Sequence, residues 1–273
     1  MTDSDQMVQA HYQSVAEKYG ASPQSTMEDE VVREKEIGQI LNFVGALENL
    51  PDNQPLRILD LGCGNGYTLS ALSNAHPANR YYGTDFSESL LAIAIAREVA
   101  GCEFRQADAR ALPFEGDFFD AVYTERCLIN ILDWEQQRRA LQEIARVLKP
   151  GGAYLMIESF TDGLVNNNRA RQECGLEEIK AAYHNKYFEK DLWLKAITDW
   201  FTVVSPGESN GKRPFEVPEF NFLSSHYFIA RVLHPLVSRG TAVKNTEFVK
   251  FFSFLPPVGN YSPIQVFLLR KKT

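Results

Sequence analysis

The sequence predicts an α/β fold, a doubly wound and mostly parallel sheet with helices on both faces. Three observations carry that prediction. From about residue 56 to 159, short β-prone runs alternate with helix-length segments, the pattern of βαβ units. The first run ends in a glycine-rich turn that leads into a helix. Acidic residues stand at or just beyond the ends of the first three runs, where ligands bind in sheets of this kind.

Each element follows in order. Residues 57–61 (RILDL) read as a strand and 67–75 (YTLSALSNA) as a helix. Residues 80–85 (RYYGTD) form a second strand, and Ser87 and Glu88 suit the start of a helix over roughly 87–100. Short strands are expected over 102–106 and 119–123. Residues 134–148 place Leu141, Ile144, Ala145 and Leu148 on one helical face. The sequence Lys149-Pro150-Gly151-Gly152 then stops that helix, and 153–158 (AYLMIE) make a fifth strand. The run 166–171 (NNNRAR) reads as a loop entering a helix. Residues 201–204 and 264–269 are candidates to complete the sheet. The intervening 207–262 is too long for a plain connector and is read as an insertion capping the active site.

Composition narrows the function. The chain has 273 residues, 44% of them hydrophobic, enough for a continuous core. A formal charge of −7, without a Lys/Arg cluster beyond the terminal Arg270-Lys271-Lys272, argues against a nucleic-acid partner. The N-terminus is polar and acidic, and no apolar run is long enough to span a bilayer, so neither a leader nor a membrane partner is expected. Cys63, Cys102, Cys127 and Cys174 are scattered, which disfavours a structural zinc site or a disulfide framework and suits the cytoplasm. No metal is expected, because no His/Asp/Glu cluster has ligand spacing. The oligomeric state is not legible.

The chemistry is concentrated in 58–66, Ile-Leu-Asp-Leu-Gly-Cys-Gly-Asn-Gly. Glycines permit the tight turn and let amide groups approach a ligand. A dinucleotide site usually shows G-x-G-x-x-G, with pyrophosphate on the helix N-terminus. Here the spacing is G-x-G-x-G, and Asp60 precedes it, a carboxylate that repels pyrophosphate but suits an ammonium group. Asp85 ends the second strand, where an acid can bind both ribose hydroxyls. Asp108 follows the third strand, placed to accept a hydrogen bond from an adenine amino group or, in its plainer reading, to cap a short helix over 109–112. Three acids thus match an amino acid, a ribose and an adenine, the outline of S-adenosylmethionine. An NAD-dependent oxidoreductase stays open, since Asp85 serves a nicotinamide ribose equally well; so does a binding protein that keeps the fold without catalysis.

Across roughly 56–159 the chain resembles the class I S-adenosylmethionine-dependent methyltransferases, through the ordered blocks ILDLGCGNG, GTDFSESLL, ADARALPFEGDFFDAV and RVLKPGG. The resemblance implies a Rossmann-like seven-stranded sheet whose last strand is antiparallel. It implies 56–206 with 263–273 as core, 1–55 as an N-terminal helical lid and 207–262 as the cap. It assigns Asp60, Gly62 and Gly64 to the methionine part of the donor, Asp85 to the ribose, and Asp108 with Ala109 to the adenine. Asn65 and Phe86 fall in the same blocks and are taken as donor contacts. Glu125 falls where such enzymes face ligand or substrate, and Tyr12 and Tyr19 resemble the helix that closes over the donor.

The acceptor is less legible. Transfer to a hydroxyl benefits from a base that titrates near neutrality. Of the five histidines, His11 and His76 have structural contexts and His234 lies in the cap. His184, beside Tyr183 and Asn185, follows the fifth strand and is the leading candidate base; His226 in the cap comes second. Asn130, Tyr183, His184 and His226 are the candidate substrate contacts, with Glu125 and His184 the candidate catalytic pair. The expected reaction is methyl transfer to a hydroxyl of a small polar molecule, a sugar or secondary metabolite. An amine acceptor needs no histidine and is the alternative.

Overall fold

In the computed structural model, residues 2–25, 27–49, 55–205, 219–238 and 245–273 are described. Two helices come first, α1 (Asp3–Tyr19) and α2 (Glu30–Glu48). Thr2 starts α1 with a reciprocal cap: its hydroxyl accepts the Asp5 amide, and the Asp5 carboxylate accepts the Thr2 amide. Asp29 starts α2 by accepting the Val32 amide. The alternating region then gives β1 (Arg57–Leu61), α3 (Tyr67–Ala75), β2 (Arg80–Asp85), α4 (Glu88–Ala96), β3 (Cys102–Gln106), β4 (Phe119–Glu125), α5 (Trp134–Val147) and β5 (Leu148–Ser159). After it come α6 (Thr161–Glu173), α7 (Lys190–Ile197), β6 (Phe201–Val203), the short helices α8 (Ser224–Phe228), α9 (His234–Val237) and α10 (Glu247–Phe252), and finally β7 (Ile264–Lys271).

The strands form one seven-stranded sheet in the order β3-β2-β1-β4-β5-β7-β6. β1 pairs in parallel with both β2 and β4, and β7 runs antiparallel to β5 and to β6. The order therefore reverses at β1, and the carboxyl ends of β1 and β4 frame the crevice where such sheets bind ligands. Both faces are apolar. Leu141 and Ile144 of α5 pack with Phe119, Val122 and Tyr154 on one side; Ile40, Phe43 and Val44 of α2 pack with Ile58, Tyr81 and Leu155 on the other.

Three expectations shift. Helix α4 stops at Ala96, because Glu98 and Gly101 turn into the left-handed region at φ +51° and +71°. Strand β5 begins at Leu148, before the Lys-Pro-Gly-Gly sequence; Leu148 pairs with Phe119, and an irregularity between Phe119 and Ala121 absorbs the turn. The Asn166–Arg171 run is helical, inside α6. Its asparagines favour that conformation because their amides reach outward, Asn166 to the Asn260 carbonyl, Asn167 to Tyr261 and Asn168 to Ile179, instead of competing for their own backbone. Of the anticipated cap, 207–218 and 239–244 lie outside the described residues; α8, α9 and α10 lie in the remainder.

Candidate active site

A cleft of about 1080 Å³, counting the open space at its mouth, lies at the carboxyl ends of β1, β2 and β4. Its floor is the turn after β1. The Gly62 and Cys63 amides both donate to the Thr84 carbonyl, at 2.8 and 2.9 Å, which draws the turn against β2. Gly62 has φ +86°, and a Cβ there would stand 2.5 Å from Cys127 Sγ, so no side chain fits without displacing the chain after β4. Asp85 completes the link: Oδ2 accepts the Gly64 amide at 2.8 Å, and Oδ1 accepts the Ser87 amide at 2.7 Å. Burial pushes the Asp85 carboxyl up to about 6, against the opposing pull of those amides. Burial likewise raises Asp60 well above the ordinary carboxyl range, beside Tyr123.

The other wall carries Asp108 and the end of β4. Asp108 Oδ1 accepts the Arg110 amide at 2.8 Å, a local turn rather than a helix cap, and its carboxylate holds the Arg110 guanidinium at 2.6–3.0 Å. The same guanidinium reaches Asp5 of α1 at 3.0 Å. Glu125 lies at the heart of a buried group of charges. It accepts the Thr68 hydroxyl at 2.9 Å and Arg126 Nη2 at 2.8 Å, and Arg33 Nη1 stands 3.8 Å away. Arg126 Nε also meets Glu36 at 2.8 Å. Burial alone would raise Glu125, yet Arg126 and Arg33 hold it below its ordinary range, while burial raises Glu36. Arg126 adopts φ +57°, a conformation uncommon outside glycine and frequent where local geometry serves a site.

Helix α1 roofs the cleft with Asp5, Val8, Gln9 and Tyr12. Tyr12 Oη donates to Asn130 Oδ1 at 2.9 Å, and Asn130 Nδ2 donates to Asn185 Oδ1 at 2.8 Å. Asn130 is held in turn by Glu158, a fully buried carboxylate at the end of β5. Glu158 accepts the amides of Cys127, Leu128 and Ile129 at 3.0, 2.9 and 3.3 Å, fixing the turn that carries Cys127, Asn130 and Ile131 into the cleft. Burial pushes Glu158 up to about 7.

The structure therefore gathers Asp60, Gly62, Gly64, Asn65, Asp85, Phe86, Asp108, Ala109, Glu125 and Asn130 around one cleft. Other candidates stand outside its lining. Tyr19 donates to Glu28 at 2.8 Å at the end of α1; Tyr12, about two helical turns earlier, is the tyrosine that reaches the cleft. His184 stacks on His11 with ring centroids 3.8 Å apart, and burial with the neighbouring His11 depresses it to about 4. Tyr183 is 65% exposed and its hydroxyl bonds His11 Nδ1 at 3.0 Å, so this pair clasps α1 from outside. His226 is buried against Asp29, Nε2 to Oδ2 3.2 Å, where it secures the start of α2. Asn65 lines the cleft and also donates to the Gly20 and Ser22 carbonyls at 3.0 Å, tying the segment after α1 to the glycine turn. Sequence reasoning missed Arg33, Thr68, Arg110 and Glu158. Each lacks a motif, and only Arg110 stood inside a recognised block.

Among the described residues, no group of three or more His, Cys, Asp and Glu is arranged to hold a metal ion, and no helix is long and apolar enough to cross a membrane.

Residues 58–152 match the family model for a methyltransferase domain. The chain is similar to a demethylmenaquinone methyltransferase of Staphylococcus aureus (strain JH9), 37% identical over 169 residues, covering 60% of this chain and 67% of the relative. It is 42% identical over 118 residues to a demethylmenaquinone methyltransferase of Lactococcus lactis, covering 41% of this chain and 46% of that one. A tRNA (carboxymethyluridine(34)-5-O)-methyltransferase of Arabidopsis thaliana is 36% identical over 110 residues, 40% of this chain and 25% of the relative. The chain thus spans about half the length of several curated relatives it matches. Among solved structures, a methyltransferase in complex with the Trm112 activator of Haloferax volcanii superposes with a TM-score of 0.53 at 17% identity, covering 100% of this chain and 99% of that one, a likeness of fold.

Proposed function

We infer, for a chain that belongs to the class I S-adenosylmethionine-dependent methyltransferase family, that it transfers a methyl group from S-adenosylmethionine to a small, uncharged acceptor held under α1. The observation that carries the reading is the half-buried Asp85 carboxylate, bonded to Gly64 and Ser87 and facing the cleft beside Asp60 and Gly62. That cradle fits the donor. The glycine turn leaves room at the methionine end, an ammonium there would favour the ionised form of Asp60 that burial otherwise disfavours, and Arg33 in the same lining suits the carboxylate. Asp85 accepts from the ribose hydroxyls, and Asp108 with Ala109 borders the adenine. A pyrophosphate at the glycine turn would face the Asp60 carboxyl, and the G-x-G-x-G spacing sets its third glycine one residue short of the G-x-G-x-x-G dinucleotide turn, which together disfavour a dinucleotide.

S-adenosylmethionine, when bound, supplies a sulfonium methyl that is already a strong electrophile. The protein's part is alignment and exclusion of water. Asp60, Asp85 and the glycine turn hold the donor on the floor, and α1 covers it. Val8, Gln9, Tyr12, Cys127, Asn130 and Ile131 border the remaining space. Asp5, Arg110, Glu125 and Arg126 also line the cleft, but they are paired with one another, with Asp108 or with Glu36, so a charged acceptor would lose its hydration there with little compensation. Tyr12 and Asn130 supply the polar handle, and a hydroxyl or a neutral amine suits them. His184 touches this space through its carbonyl, which accepts from Asn130 Nδ2 at 3.3 Å, and its ring is a weak base. We therefore assign the acceptor's orientation to Tyr12 and Asn130, and leave His184 a supporting role. Acceptors larger than a small molecule, nucleic acid included, are disfavoured by the closed roof and the −7 charge.

The 37% identity over 169 residues favours a second acceptor reading, a molecule of the demethylmenaquinone kind. Incubation with donor labelled in the methyl group separates the readings. Label in uncharged hydroxyl, amine or quinol acceptors supports the proposal and names the class. Label appearing only in tRNA, or only in charged acceptors, overturns it.

A further inference from the structure

Arg110 joins the roof of the cleft to its wall. Its Nη1 meets Asp5 of α1 at 3.0 Å, and its Nε and Nη2 meet the two Asp108 oxygens at 2.6–3.0 Å. All three residues line the cleft. The Arg110 and Asp5 side chains are 15% and 14% exposed, so theirs is a sheltered bridge and not the solvated surface pair that contributes little. Burial alone would raise Asp5, yet Arg110 holds it below its ordinary range. Arg110 is itself seated: its amide donates to Asp108 Oδ1 at 2.8 Å, and its carbonyl accepts Arg139 Nε of α5 at 3.1 Å.

The two ends of the roof helix are fastened differently. Beyond the C-terminal end of α1, Asn65 donates to the Gly20 and Ser22 carbonyls, and Arg97 donates to the Ala21 carbonyl, all bonds to backbone that tie the chain to the glycine turn. Near the N-terminal end, Asp5 grips the wall by charge. A roof that swings open about the first tie has to break the second.

Asp108 is also the acid expected to accept a hydrogen bond from an adenine amino group. A carboxylate offers about four lone-pair sites. Arg110 engages both oxygens through its amide, Nε and Nη2. An amino group arriving there has to displace a charge-assisted pair, with its own N–H groups turned towards a cation.

We propose that Arg110 is a positioning residue that clasps α1 to the cleft wall, and that Asp108 acts on the donor through this clasp instead of reading the adenine amino group. Roof opening then costs the Asp5–Arg110 bridge, and the closed roof retains the donor. The proposal rests on the donor reading above and deepens it.

The test is calorimetric titration of the full chain with S-adenosylhomocysteine and with S-inosylhomocysteine, in which an oxo group replaces the adenine amino group. Asp5→Asn and Arg110→Gln should each weaken S-adenosylhomocysteine binding at least about fivefold, and the double variant little more than Arg110→Gln alone, because both remove one bridge. Asp5 also closes the cap on α1; Thr2→Ala breaks that cap without the bridge, and its effect should add in full to that of Arg110→Gln. Asp108→Ala should weaken both ligands alike, keeping their affinity ratio within about threefold of the wild type. A loss confined to S-adenosylhomocysteine in Asp108→Ala shows the acid reading the amino group and overturns the proposal, as do fully additive effects of Asp5→Asn and Arg110→Gln. If the wild type binds neither ligand, the donor reading fails, and hydrogen exchange of the free protein judges the clasp by itself. Faster exchange across α1 in both variants then supports it, and unchanged exchange overturns it.

Discussion

Asp85 Oδ2 accepts the amide of Gly64 at 2.8 Å, so the end of β2 is fastened to the turn that follows β1. One carboxylate thereby shapes the glycine cradle and presents its charge to the same cleft. Asp85→Ala should weaken S-adenosylhomocysteine binding more than about tenfold, because it removes charge-assisted bonds. Calorimetry checks this, with a melting curve to confirm folding. Unchanged affinity in a folded variant contradicts the ribose assignment.

The same group sets a pH dependence. Burial raises the Asp85 carboxyl to about 6, and ribose hydroxyls donate to its ionised form. Donor affinity should be level above about pH 7 and fall as pH drops through about 6, approaching tenfold per pH unit. Asp85→Asn should flatten that profile; an unaltered slope would place the titration elsewhere.

Glu158 bears on stability. Burial raises it to about 7, so the folded protein holds this proton more tightly than the unfolded chain does. Its contribution is present below the ordinary carboxyl range and is lost as pH rises towards 7, and Asp85 acts in the same direction. Denaturant titrations of Glu158→Gln should show a shallower decline between about pH 4.5 and 7 than the wild type. A steeper decline contradicts the assignment.

Gly62 leaves no room for a side chain. Gly62→Ala combines a positive φ with a Cβ 2.5 Å from Cys127 Sγ. We expect a loss of roughly 1–3 kcal/mol of stability and loss of measurable donor binding. Wild-type affinity in this variant contradicts the cradle geometry.

His184 and Tyr12 separate two accounts of the acceptor end. His184→Ala should lower kcat less than about tenfold, whereas Asn130→Ala and Tyr12→Phe should raise KM for the acceptor and leave donor affinity within about threefold. A collapse of kcat in His184→Ala, with KM unchanged, restores the histidine as base.

The sheet and the lining of the cleft around the glycine turn were legible because both depend on local patterns. β1, α3, β2 and β3 begin and end where periodicity and turn residues set them, and the acids at the strand ends arrive at the cleft because a parallel sheet aligns its carboxyl ends. The acceptor side was less legible because its residues come from distant segments. Tyr12 and Asn130 are 118 positions apart and meet only once α1 folds over the sheet. Glu158 holds the Cys127–Ile129 amides across 29–31 positions, a contact no local pattern announces. The histidines misdirect for a related reason: His184 follows the fifth strand as expected, but stacking on His11 turns its ring to the outside of α1.

Calorimetric titration of the full chain with S-adenosylhomocysteine, alongside NADH, tests the central claim most directly. One-site binding of S-adenosylhomocysteine, with no response to NADH, is the expected result. Binding of NADH alone would mean that the turn from Gly62 to Gly66 cradles a dinucleotide, and the methyl-transfer account would fall with it.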